Sequence, residues 1–204
     1  NTKLIGSAYA ARNYAFKFVK SPFICFLDVD DRWSPIKLEL TYKKLVSSPD
    51  LKLLYSNYYR SRVGSVSGSI RQVSFFWPLK FWIRIFNPIP MSSSCISSSY
   101  LRSLNLLFHP CNHEDYFFWH EFLRFASNSD CFVFREPLLC YTIHGSSLSS
   151  NKFSAIGWIF SNYLLFGYNL FVSLIALLAR FFVQCFFALC SLRSLVLPLW
   201  ASTL

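Results

Sequence analysis

The stretch "FICFLDVDDRW", residues 23–33, runs from an oily segment straight into three carboxylates, an arginine and a tryptophan. Phe23 to Leu27 is short, apolar and uncharged, the pattern of a buried parallel strand. Asp28, Asp30 and Asp31 follow at once. Like charges this close repel, so a positive group or water belongs among them. In an open α/β sheet, the carboxyl ends of the strands face the ligand crevice. An Asp-x-Asp at such an end offers the hard oxygen donors that Mg²⁺ takes while sharing its shell with phosphates. Alone, the motif is equally compatible with an ordinary Asp-rich turn.

The flanks extend the α/β pattern. Upstream, Ala8, Ala11, Ala15 and Val19 stand at helical spacing, which predicts a helix over 7–19 closed by Lys-Ser-Pro. Downstream, Ser34 suits an N-cap and Pro35 a first helical position. "LKLLYSNYY" at 51–59 reads as a strand, and "RVGSVSGSIRQ" at 62–72 as a loop. "FFWPLKFWIRIF" at 75–86 fits either an interfacial helix or an amphipathic core helix. "MSSSCISSS" at 91–99 is a small-residue strand or loop. "EDYFFWHEFLRFA" at 114–126 places Trp119, Phe122, Leu123 and Ala126 on one helical face. "CFVFREPLLCYTIH" at 131–144 reads as one or two strands.

Composition narrows the partners. Net charge is +10, and residues 51–113 carry seven Lys or Arg with no Asp or Glu. Such a surface suits anionic lipid or a phosphorylated substrate, or consists of plain solvated side chains. Nucleic acid is disfavoured, because the cations sit among Trp and Phe runs. Seven cysteines, an odd number without any CxxC pair, lie mostly in apolar strings and suit reduced thiols. His109, Cys111 and His113 alternate, but a strand-like trio without a second ligand pair is a poor zinc site.

Residues 153–179 contain no charged side chain. The segment 158–179 has the length to cross a bilayer. Its Asn162, Gly167 and Asn169 also allow a hairpin or a helix lying in the interface. The expected organisation is an α/β domain over 1–150 and a hydrophobic, membrane-associated helical segment over 151–204.

Four motifs in order add a resemblance. "GSAYAARNYAFKFVKSPFICFLDVDDRWSPIKLEL" closely resembles the glycosyltransferases of family 2, which have the GT-A fold. "MSSSCISSSYL" resembles that family's Ser-rich strand, "HEDYFFWHEFL" its Glu-Asp helix start, and "YTIHGSSLS" its closing His-Ser motif. The resemblance implies a GT-A (Rossmann-like) mixed sheet with helices on both faces. Family members begin with a strand and turn that this chain lacks, roughly sixty residues by ordinary βαβ lengths.

The resemblance also implies the chemistry, transfer of a sugar from a nucleotide-diphosphate donor to a glycan or lipid-linked acceptor, usually with inversion. Asp28 would lie near the ribose, and Arg12 near the nucleotide or its phosphates. Asp30 would hold a Mg²⁺ or Mn²⁺ ion, with Asp31 supporting its shell and His144 approaching the metal or diphosphate. Asp115 would be the general base, with Glu114 the competing candidate; without the resemblance, both read as residues capping a helix. The setting would be surface polysaccharide or lipopolysaccharide assembly at the cytoplasmic face of the inner membrane. The alternative is a non-catalytic, membrane-anchored remnant of such an enzyme.

Overall fold

The computed structural model describes residues 7–62, 68–73, 78–143 and 152–191. Six strands form one mixed sheet: β1 (Phe23–Cys25), β2 (Arg32–Trp33), β3 (Leu53–Arg62), β4 (Gly68–Arg71), β5 (Cys95–Ser97) and β6 (Cys131–Ile143). Their order is β1-β5-β3-β6-β2, with β4 added to the far end of β3. The pair β3–β6 is parallel; the others are antiparallel.

The run at 23–27 therefore departs from expectation. Its regular part is three residues long and pairs antiparallel with β5, Cys25 facing Cys95. Only Phe26 of the run is buried; Leu27 is exposed. The loop at 62–72 is corrected as well. Its described end, Gly68–Arg71, is a strand paired to Tyr58–Ser61. The 131–144 segment is one long strand through Ile143. Pro137 lacks an N–H, and the register with β3 shifts on either side of Asn57. Asn57 Nδ2 donates to Arg135 O at 2.7 Å and satisfies that irregularity.

Seven helices are described: α1 (Ala8–Phe16), α2 (Lys37–Ser47), α3 (Leu79–Trp82), α4 (Ser98–Ser103), α5 (Glu114–Phe125), α6 (Lys152–Leu165) and α7 (Leu170–Ser191). Residue alternation along β3 sends Leu53 and Tyr55 to one face and Leu54 to the other. The first face packs under α5, where Trp119, Phe122, Leu123 and Ala126 are buried as the spacing predicts, with Phe118 buried beside them. The second is covered by Leu40 and Leu45 of α2. Helices thus lie on both faces.

Local departures have local causes. α1 turns Tyr9 and Phe16 toward the core, while Ala8, Ala11 and Ala15 face outward. Aromatic rings bury several times the apolar area of a methyl group, so they choose the face. α2 begins at Lys37, later than Pro35 suggests, because Lys37 N closes a turn onto Ser34 O at 2.9 Å. At 75–86, the described helix is one turn, with Leu79 and Ile83 in the core.

The oily segment is broken. α6 ends at Leu165, Gly167 takes φ +84°, and α7 starts at Leu170. The left-handed backbone at Gly167 is the conformation that glycine adopts without Cβ strain. Among the described residues, no helix is long and apolar enough to cross a membrane. Ile159 and Tyr163 of α6 and Ala176 of α7 enter the main core, so the hairpin packs on the sheet domain.

Candidate active site

The carboxylates of residues 28–31 separate once folded. Asp28 and Asp30 line an open cleft of about 1020 Å³, together with Arg12, Glu114 and Asp115. Asp31 turns inward and is 6% exposed. Its Oδ1 accepts from Thr142 N at 3.0 Å, and its Oδ2 is buried without a partner among the described residues. Burial pushes its carboxyl above the usual range, opposed by the hydrogen bond from the Thr142 N–H.

The positive group between the acids is Arg12. Its Nη2 donates to Asp28 Oδ1 at 2.7 Å and its Nη1 to Glu114 Oε1 at 3.2 Å. The guanidinium also lies 5.2 Å from the Phe108 ring centroid. Arg12 is only 15% exposed at its side chain, so these pairs are shielded more than surface ones. Its neighbour Asn13 exchanges two hydrogen bonds with the Phe108 backbone, at 2.9 and 2.8 Å. α1 thereby ties the Asp-rich loop to the chain leading into α5.

The Ser-rich segment scaffolds the loop from below. Ser92 Oγ accepts from Asp28 N at 3.1 Å, and Ser92 O accepts from Trp33 Nε1 at 2.7 Å. Lys37, 2% exposed, donates from Nζ to Ser93 O at 2.7 Å and lies over the Trp33 ring. Its burial lowers the ammonium below its ordinary range. A lysine inside the "KLE" helix is therefore a structural donor, a role that charge alone would not suggest.

On the opposite wall, Glu114 and Asp115 open α5. His113 before them takes φ 56°, a left-handed conformation rare outside glycine that aims the first turn of the helix. Its ring meets Trp158 of α6 edge-on at 5.8 Å, and burial lowers its pKa from the ordinary value. Asp115 Oδ2 accepts from Asn87 Nδ2 at 2.9 Å. Asn162 Nδ2, from α6, donates to Asn112 O at 3.1 Å and braces this loop. Trp158 itself lines the cleft.

The structure thus brings together Arg12, Asp28, Asp30, Glu114 and Asp115, places Asp31 behind them, and leaves His144 outside the described residues. His109 lies on the Phe117 ring at 4.9 Å. Among the described residues, no three His, Cys, Asp or Glu side chains converge as a metal-binding group. Asn87, Trp158 and Asn162 carried no sequence signal of a site role, although the Asn-Pro pair at 87–88 marks a turn.

Comparison with known proteins fits this geometry. Residues 7–102 match the model of Glycosyl transferase family 2. Over these residues the chain is similar to the family 2 glycosyltransferases. The family match includes Arg12, Asp28, Asp30 and Asp31 and stops short of Glu114 and Asp115. Two curated Escherichia coli proteins are similar, both described as UDP-Glc:alpha-D-GlcNAc-diphosphoundecaprenol beta-1,3-glucosyltransferases. WfgD is 30% identical over 76% of this chain and 60% of its own length. WfaP is 27% identical over 73% and 57%. The chain therefore spans about three-fifths of these relatives. Among solved structures, S. aureus TarS 1-349 in complex with UDP-GlcNAc superposes with a TM-score of 0.53 over 77% of this chain and 46% of its own. At 13% identity that likeness concerns the fold alone, a GT-A-like mixed α/β architecture.

Proposed function

We propose that the protein transfers a sugar from a UDP-sugar to a lipid-linked glycan acceptor, with inversion, in surface polysaccharide assembly. The observation that carries this reading is the Arg12 bridge. Arg12 holds Asp28 and reaches Glu114 across 102 positions of sequence, so that donor-side and acceptor-side carboxylates share one cleft. The relatives' descriptions supply the donor and acceptor classes.

Arg12 pairs with both Asp28 and Glu114, so of the acidic pair Glu114 is held in an ion pair. Asp115 is left as the base. The acceptor hydroxyl oxygen attacks the anomeric carbon, its proton passes to the Asp115 carboxylate, and the bond to the diphosphate breaks with its electron pair leaving on the nucleotide. One displacement inverts the centre.

The donor set in the cleft is carboxylate oxygen, which fits Mg²⁺ or Mn²⁺; such ions often take one or two carboxylates and complete their shell with water and phosphate. Asp30 would hold the ion and Asp31 would support its shell, and the family resemblance gives His144 a part near the metal or diphosphate. A bound ion would offset charge growing on the leaving diphosphate.

A membrane surface is part of the reading. On α7, Phe171, Leu174, Ile175, Leu178, Phe181 and Phe182 are exposed at helical spacing, while Ser173 is buried against the protein. An outward apolar stripe of this kind suits a helix lying in the interface, here at the cytoplasmic face of the inner membrane.

Transfer from UDP-glucose to a diphosphate-lipid-linked sugar tests the proposal. Asp30→Ala and Asp115→Asn are each expected to lower turnover at least about 100-fold, the scale of losing a base or a preorganised charge. Near-wild-type turnover in Asp115→Asn removes the base assignment. Calorimetric titration with UDP and Mn²⁺ tests the remnant alternative, because a remnant gives no binding heat.

A further inference from the structure

Asn87 lies in the turn Asn-Pro-Ile-Pro that follows α3, and it lines the cleft. Both ends of its amide are engaged. Oδ1 accepts from Ile89 N at 3.0 Å, and Nδ2 donates to Asp115 Oδ2 at 2.9 Å. The first bond decides which way round the amide sits, because only the oxygen can accept from a backbone N–H. The flanking Pro88 and Pro90 restrict the backbone, and Ile89 is buried in the core. The amide is thus a fixed donor aimed at one oxygen of Asp115.

We propose that Asn87 is the positioning residue for the base of the transfer, an inference that rests on the assignment of Asp115 above. A carboxylate on a short side chain turns about χ1 and χ2, and either oxygen can present itself to an acceptor. Asn87 commits Oδ2 to its own N–H, which leaves Oδ1 to take the acceptor's proton. Orientation matters at this step because a misplacement of about 1 Å in a reacting group costs on the order of 100-fold in rate. Asn87 arrives from a different part of the chain than the Asp-rich loop or α5.

Two variants separate this role from a structural one. Asn87→Asp keeps an oxygen for the Ile89 N–H and so keeps the turn, but it removes the donor and sets a second carboxylate against Asp115. Asn87→Ala removes both bonds. The proposal expects kcat to fall about 10- to 100-fold in both, with the dissociation constant for UDP and Mn²⁺ unchanged by calorimetry. It also expects the melting temperature of Asn87→Asp to stay near wild type. Turnover retained in Asn87→Asp but lost in Asn87→Ala overturns it, because the turn alone would then be what matters. Full turnover in both overturns it as well. Asp115→Asn, assayed alongside, isolates the premise: if that variant keeps its rate, the base assignment falls first and Asn87 falls with it. If Asp115→Asn is inactive while Asn87→Asp is fully active, only the present inference fails.

Discussion

Arg12 answers, at the scale of single residues, how three aspartates coexist within four positions. One of them is paired with a guanidinium, one is turned inward onto a backbone N–H, and Asp30 lines the cleft. Repulsion is relieved by geometry as much as by charge. His120 shows the same competition between burial and charge. Its ring stacks on Phe166 at 3.7 Å with Tyr168 near, and it bonds Glu121; Arg124 and Arg84 add unfavourable positive potential. Burial, the largest effect, lowers its pKa from the ordinary value. The folded state therefore binds fewer protons than the unfolded chain between the lowered pKa and the ordinary one. Stability is fully present above the unfolded pKa and is lost as pH falls through the folded one. Stability is expected to drop on acidification from pH ~7 to ~5, by at most about 1.4 kcal/mol per pH unit from this group, and the melting temperature with it. His120→Gln should flatten that fall in a thermal melt series, partly, since His113 shifts in the same direction. An unaltered pH slope in the variant contradicts this account.

At the scale of elements, α6 supports the Glu114–Asp115 wall of the cleft. Asn162 is buried and donates to the Asn112 carbonyl, Tyr163 donates its hydroxyl to Ile85 O, and Trp158 reaches the cleft. α6 therefore braces both the turn near Asn87 and the loop before Glu114. Asn162→Leu, similar in volume, leaves the Asn112 carbonyl without that donor. A loss of about 1–2 kcal/mol is expected from an orphaned buried acceptor, read in a denaturant titration. Acceptor kcat/KM should fall more than affinity for UDP. Equal loss on both sides of the cleft would mean that α6 merely holds the domain together.

For the whole molecule, the hairpin gives the protein two kinds of surface. One face of α7 joins the core through Ala176, and the other shows Phe, Leu and Ile to the outside. Flotation with vesicles containing anionic lipid should carry the protein upward. Replacing Phe181 and Phe182 together by Ser should shift it toward the soluble fraction without changing the melting temperature. Equal flotation by the double variant would place the lipid contact elsewhere.

The sequence by itself determined the local chemistry: the Asp-x-Asp after a short strand, the Glu-Asp opening a helix whose buried face follows a 3.6-residue period, and the α/β alternation. These are short-range properties, set by spacing, turn residues and the order of motifs, so they survive translation into a string. It also left open whether the oily segment spans, folds back or lies flat, since an uncharged run is compatible with all three. Only tertiary structure decided that β1 runs antiparallel, that α1 buries its rings instead of its alanines, and that the segment folds back at Gly167 onto α5. The same holds for Arg12 meeting Glu114, Asn87 meeting Asp115, and Lys37 meeting Ser93. Each of those pairs joins residues far apart in the chain, and which donors and acceptors lose water together is fixed only when the sheet and its helices close around them.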